Sequence, residues 1–192
     1  MPGMKKIVKA KDIIFDKNLF VNYLSGTVLD LLLCSYRGLP KGVNYMVIGD
    51  PGVGKTTIIL DLMANIHRIQ PNVRMHFVSA EMNEIDLAIY VQRYPKFGEL
   101  DIMFVEAEFD SEAHALDDFE KALRMGWDIV AIDSFYELQG IVKEEESITL
   151  KKSESLLLSI IKKQNKAENE RGSTYLIPNH TTGNKDWCFY WQ

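Results

Sequence analysis

The stretch Gly49-Asp50-Pro51-Gly52-Val53-Gly54-Lys55-Thr56-Thr57 has the residue types and spacing to hold a polyphosphate. A glycine, four residues, then Gly-Lys-Thr is the pattern of a loop that turns its backbone amides inward around phosphate oxygens. Gly52 and Gly54 let the chain follow that path, where a Cβ would obstruct it or cost strain. Lys55 is spaced to reach the β- and γ-phosphates, and the Thr56 hydroxyl to ligate Mg²⁺. The plainer reading, a glycine-rich turn used only for packing, leaves Lys55-Thr56-Thr57 unexplained.

Other positions decide what happens to a bound nucleotide. Trp127-Asp128-Ile129-Val130-Ala131-Ile132-Asp133 is an apolar run ending in a carboxylate, and Asp133 there can hold Mg²⁺ through its water shell. Met75-His76-Phe77-Val78-Ser79-Ala80-Glu81 ends the same way. Glu81 can orient or deprotonate an attacking water, or it can cap the following helix, since Asn83 and Glu84 also look like helix-start residues. Asn179 and His180 close a third such run. They either sense the γ-phosphate or only close a loop.

The elements that must position these groups alternate from residue 40 onward. Strands are predicted at 45–49, 74–80, 101–106, 127–133 and 173–179, with helices at 54–69, 83–94, 111–125 and 150–170. Short apolar strands joined by helices predict an α/β fold, a parallel sheet of about five strands with helices on both faces. Its strands all end on one edge, where ligands bind in open α/β sheets. Residues 1–40 form a lead-in with one amphipathic helix, predicted at 16–33. Its stripe of Leu19, Phe20, Tyr23, Leu24, Val28, Leu31 and Leu32 lies on the sheet or docks on a neighbouring subunit. The Glu-rich segment 141–149 reads as an exposed loop. One long helix follows from Leu150 to Gly172, its polar end from Lys162 a solvated surface.

Composition sets the outer limits. The chain has 192 residues, enough for one domain, and a net charge of −5, which counts against a broad nucleic-acid-binding face. No apolar run is long enough to span a membrane, and no secretory signal is read at the basic N-terminus, so the expected location is cytoplasmic. Cys34 and Cys188 are unpatterned and suit a reducing compartment. The four histidines form no metal-binding pattern.

Leu39-Pro40-Lys41-Gly42 followed by the phosphate loop resembles the RecA/RadA branch of phosphate-loop ATPases, and Leu24 to Leu32 is similar to that branch's lead-in. Phe77-Val78-Ser79-Ala80-Glu81-Met82 resembles the strand that ends in the catalytic Glu of RadA proteins and DnaB-type helicases. Val130-Ala131-Ile132-Asp133-Ser134 looks like the Mg²⁺ strand, and Asn179-His180-Thr181-Thr182 like the start of the switch segment. The likeness covers roughly residues 24–182. It implies a RecA-like core over 41–182, with ATP and Mg²⁺ as ligands. Lys55 and Glu81 are the implied catalytic residues, Thr56 and Asp133 the metal residues, and Asn179 and His180 the sensors. It also implies a homo-oligomeric ring or filament with the site at a subunit interface, single-stranded DNA as partner, and a function in DNA recombination, repair or replication. The alternative on the same core is a KaiC-like nucleotide-dependent assembly or regulatory ATPase without DNA binding. A phosphate-loop kinase fits less well, because no Arg-rich lid segment is present.

The tail 183–192 departs from the family. Where the family continues into a DNA-binding loop and a basic finger, this chain has an aromatic-rich segment ending Trp187-Cys188-Phe189-Tyr190-Trp191-Gln192. Truncation, divergence, and packing of the tail on a partner or on the core all fit. A basic finger is worth on the order of 10³–10⁵ in rate in related hydrolases, so the isolated chain is expected to bind ATP and hydrolyse it slowly.

Overall fold

Each of the five apolar runs becomes a parallel strand: β1 (Asn44–Gly49), β2 (Met75–Ser79), β3 (Asp101–Phe104), β4 (Ile129–Asp133) and β5 (Thr174–His180). The computed structural model describes residues 9, 11, 22–105, 114–166, 172–180 and 188–191. Their order across the sheet is β3-β2-β4-β5-β1. A sixth strand, β6 (Cys188–Trp191), pairs antiparallel with the outer edge of β1. The aromatic segment of the tail thus pairs along the phosphate-loop strand, with Tyr45 opposite Trp191 and Ile48 opposite Cys188.

Both faces of the sheet are covered, which is why its strands read as unbroken apolar runs. Successive residues of β4 are all buried, Ile129 and Ala131 toward one core and Val130 and Ile132 toward the other. The first core is closed by α2 (Lys55–Ile69), through Ile59, Leu60, Met63 and Ile66. The second is closed by α4 (Ala115–Arg124), α5 (Phe135–Glu145) and α6 (Leu150–Lys166), through Phe119, Leu138, Val142, Leu157 and Ile161. Each such side chain contributes roughly 1.5–3 kcal/mol by leaving water. The remaining helices are α1 (Leu29–Leu33) and α3 (Glu84–Arg93).

Strand β5 lies between the phosphate-loop strand and the Asp133 strand, and a proline shapes its upper end. The Thr174 amide donates to the Asp128 carbonyl before β4, and the Tyr175 amide to the Val43 carbonyl before β1. Alternate residues therefore face alternate neighbours, and Pro178, in step with Thr174 and Leu176, faces β4. The β4–β5 ladder ends at Ala131 opposite Leu176, whereas β5 stays paired with β1 up to Gly49 opposite His180. Pro178 has no N–H to donate, and it stands where the β4 ladder has already stopped.

One row across the sheet runs Asp101, His76, Val130, Tyr175, Asn44. Among the described residues, the buried side-chain nitrogen and oxygen atoms without a hydrogen-bond partner belong to three residues of this row: His76, Tyr175 and Asn44.

Two expectations are corrected. The helix predicted at 16–33 is helical only over Leu29–Leu33 in its described part, and residues 16–21 lie outside the described residues. Tyr23 instead bridges to Leu39, and Gly26 turns the chain at φ +68°. The Asp30 carboxylate gathers the Ser25 and Gly26 amides and the Ser25 hydroxyl. This knot starts the helix at Leu29. Tyr23, Leu29 and Leu33 of the described lead-in are buried on the core, with the Tyr45 hydroxyl donating to the Leu33 carbonyl at 2.9 Å, whereas Leu24, Val28, Leu31 and Leu32 of the predicted stripe are exposed. The second correction is 141–149. Its first five residues belong to α5, because Leu138 and Val142 stand one turn apart and both are buried. The stretches 106–113, 167–171 and 181–187, which include the ends of some predicted elements and Thr181-Thr182, lie outside the described residues.

Candidate active site

The loop after β1 enters α2 through two glycines with left-handed backbones, Gly52 at φ +75° and Gly54 at φ +91°. A Cβ built on either meets no atom within 4 Å. Within the protein's own packing, what asks for glycine there is the left-handed backbone and not a lack of room. Val53 folds back over Gly49, where a Cβ would come within 3.0 Å of the Val53 Cγ2. The first bond of the helix ladder runs from the Ile58 amide to the Gly54 carbonyl, so the amides of Lys55, Thr56 and Thr57 lie ahead of it. These amides and the positive end of the helix dipole favour an anion at this point.

Lys55 is buried, and its Nζ donates to the carbonyls of Gly49 (3.0 Å) and Asp50 (2.9 Å), lying across the loop. The Thr56 hydroxyl donates to Asp133 Oδ2 at 2.5 Å. Asp133 is only 2% exposed. Two hard oxygen ligands from elements far apart in sequence are thus in direct contact, which fits Mg²⁺. Ser134, joined to Asp133 by a cis peptide, caps α5 by accepting from the Glu137 amide.

Glu81 follows β2, and the Ala80 and Glu81 amides both donate to the Asp133 carbonyl, at 2.7 and 3.2 Å. This ties the Glu81 backbone to the Asp133 strand. Glu81 does not cap α3. Asn83 does, accepting from the Asp86 amide at 3.0 Å while Asp86 accepts from the Asn83 amide. The Glu81 side chain is exposed and lines a cleft of about 430 Å³ together with Gly52, Gly54, Lys55, Thr56 and Thr57.

The far wall of that cleft comes from α3 and the residue before its cap: Met82, Asp86, Ile89 and Tyr90. Sequence reasoning missed these residues. The helix predicted at 83–94 carried no site residue, yet α3 buries none of its residues and Ile89 is 59% exposed. The usable signal was position: a helix that starts just after Glu81 begins on the ligand edge of the sheet. Asn179 and His180 are placed beside Ile48 and Gly49 by the β5–β1 register, at the root of the loop. Among the described residues no helix is long and apolar enough to cross a membrane, and no three His, Cys, Asp or Glu side chains are grouped to hold a metal ion.

No family model matches the chain, and no curated protein matches its sequence. Among solved structures it is similar to the crystal structure of a KaiC-like protein from the hyperthermophilic archaeon Pyrococcus horikoshii OT3. The TM-score is 0.55 and the identity 19%, over 78% of this chain and 66% of that one. At that identity the likeness shows the fold, a RecA-like phosphate-loop topology. It also corrects the expectation of a RecA/RadA-type ATPase of DNA recombination, repair or replication with DNA-binding activity. The strand spacing that suggested RecA/RadA belongs to the shared fold, which is matched by a KaiC-like protein, and fold does not carry function. The KaiC-like alternative is the better supported one.

Proposed function

We propose that the chain is a KaiC-like, Mg²⁺-dependent ATPase that couples nucleotide turnover to assembly or regulation, without DNA. The observation that supports this best is the contact of Thr56 with Asp133, with Glu81 tied to the same Asp133 through its backbone. Phosphate-loop, metal and carboxylate functions thereby share one sheet edge.

In this reading the amides of residues 52–57 and the Lys55 ammonium bind the β- and γ-phosphates. Thr56 and Asp133 hold Mg²⁺, which when bound neutralises phosphate charge. Glu81 accepts a proton from water as the water oxygen bonds to the γ-phosphorus and the bond to the β–γ bridging oxygen breaks. ADP and inorganic phosphate leave. Ile89 and Tyr90 offer an apolar wall for the nucleoside, and Asp86 an acceptor.

Lys55 is the one cation among the described residues lining the cleft. A second cation donated by a neighbouring subunit, worth on the order of 10³–10⁵ in rate, would complete the site and make hydrolysis depend on homo-oligomer formation. The isolated chain is then slow.

The test is ATP turnover measured against protein concentration, with and without Mg²⁺, alongside the oligomeric state. The expected result is Mg²⁺-dependent hydrolysis whose specific rate rises with assembly and does not respond to single-stranded DNA. Stimulation by DNA, or phosphate transfer to a small acceptor in place of water, would overturn the proposal.

A further inference from the structure

At the opposite end of the sheet is a second cavity of about 230 Å³. It is bounded by the end of α2, the turn into β2, the start of β3 and Trp127 before β4. Its charged lining is of both signs. Arg74 comes from the α2–β2 side, with the His67 imidazole near it in the lining, and Glu99 and Asp101 from the entry to β3. Among the described residues none of these four side chains makes a hydrogen bond or an ion pair.

Their immediate neighbours are other groups. The Arg74 guanidinium lies over the Trp127 ring, 5.1 Å from its centroid. That ring is fixed in turn: its indole N–H donates to the Ala122 carbonyl at 2.7 Å, and it stacks on His76 at 4.6 Å. Asp101 is set in register opposite His76. Behind the Trp127 ring, His76 is 6% exposed with both ring nitrogens unpartnered, a buried polar group that the fold itself does not satisfy.

Opposite charges facing one small cavity, with no ion pair between them, match a ligand that carries both charges itself. A ligand with one charge would satisfy one side and leave the other unpaired. Arg74 suits a carboxylate, which its guanidinium can bind through two parallel N–H donors. Glu99 and Asp101 suit an ammonium group. The volume lies below the ~300 Å³ at which drug-sized pockets begin, so the ligand is small. Val73, Leu100 and the Trp127 ring leave an apolar surface for its remainder.

We propose that this cavity binds a free α-amino acid, with its carboxylate at Arg74, its ammonium group at Glu99 and Asp101, and its side chain toward Trp127. The site is separate from the nucleotide cleft. It lies at the C-terminal end of α2, whose 15 residues span roughly 22 Å from the phosphate loop.

The test is calorimetric titration of the full chain with each of the common free amino acids, and with the N-acetylated and the amidated form of any that binds. At least one amino acid should bind saturably. Arg74→Gln, Asp101→Asn, acetylation of the amine and amidation of the carboxylate should each weaken binding by about tenfold or more, the scale of one charge-assisted hydrogen bond. Nucleotide affinity should be unchanged in both variants. Arg74 and Asp101 are exposed, so the variants should fold; Glu99→Gln serves if Asp101→Asn does not. Absence of millimolar binding by every amino acid overturns the proposal. So does binding that survives these substitutions, binding equally strong for a ligand blocked at one end, or binding lost in Lys55→Ala.

Discussion

Replacing Gly54 and Gly140 by alanine separates backbone conformation from steric room. At both positions an added methyl group meets nothing within 4 Å, so neither substitution makes a clash. The backbones differ. Gly54 sits at φ +91°, in the left-handed region, whereas Gly140 lies inside α5. An L-residue in the left-handed region costs about 1–2 kcal/mol. A chain of this size loses about 2–4 °C in melting temperature per kcal/mol, so Gly54→Ala should melt about 2–8 °C lower. Gly140→Ala removes a flexible residue from a helix interior and should gain about 0.5–1 kcal/mol, or about 1–4 °C. The assay is thermal unfolding followed by circular dichroism, with nucleotide affinity measured on the same samples. Gly54→Ala should also bind ATP more weakly, because relaxing its φ re-aims the amides of Lys55 and Thr56. Gly140→Ala should bind normally. A Gly54→Ala variant as stable as the parent would refute the conformational reading, and a destabilised Gly140→Ala would show that the space around α5 is not open.

Glu81→Gln should retain ATP binding and lose hydrolysis by about 10²–10⁴-fold, with no change in melting temperature, because the exposed carboxylate caps no helix; single-turnover hydrolysis and nucleotide titration read the two effects. Asn83→Ala, which removes the actual cap of α3, should lower stability by about 1 kcal/mol, measurable by urea unfolding. Burial holds the His76 imidazole below its ordinary pKa, with Asp101 partly opposing the shift. A folded-state value below the unfolded one means stability is present above the unfolded value of 6.5 and is lost as pH falls through the folded value. The melting temperature should therefore drop on acidification below that point. His76→Phe, which keeps a ring against Trp127 and removes two unpartnered nitrogens, should flatten the drop; an unchanged pH profile would exclude His76 as its source.

The five parallel strands were legible because they are short apolar runs between helices; β2 and β4 are buried at every position, while β1 and β3 are only partly so. The phosphate loop and its neighbours Thr56 and Asp133 were legible for a related reason: parallel strands deliver their ends to one edge whatever the loops do. Where sequence reasoning failed, two signals competed. In α5, Glu144-Glu145-Glu146 outweighed the spacing of Leu138 and Val142, although a helix surface can carry both. In the lead-in, a helical stripe was extended through Gly26, whose positive φ ends it. In α3, periodicity identified the helix correctly but not the use of its apolar face, because exposed and buried isoleucines look alike in sequence. β6 followed from no local pattern, since its place is set by pairing with a strand about 140 residues earlier.

Pro178 gives the sheet a seam. Any other residue at that position would point an amide toward β4 beyond the last ladder bond at Leu176, and would need a partner for it. With proline there, no donor is left unpartnered above the last rung of the β4–β5 ladder. Asp133 rides on one side of that seam, and Asn179 and the root of the phosphate loop on the other. The two halves of the site are therefore joined by the ladder below, and above it by the hydrogen bond from Thr56 to Asp133, so the pair read as the Mg²⁺ ligands is also what bridges the seam.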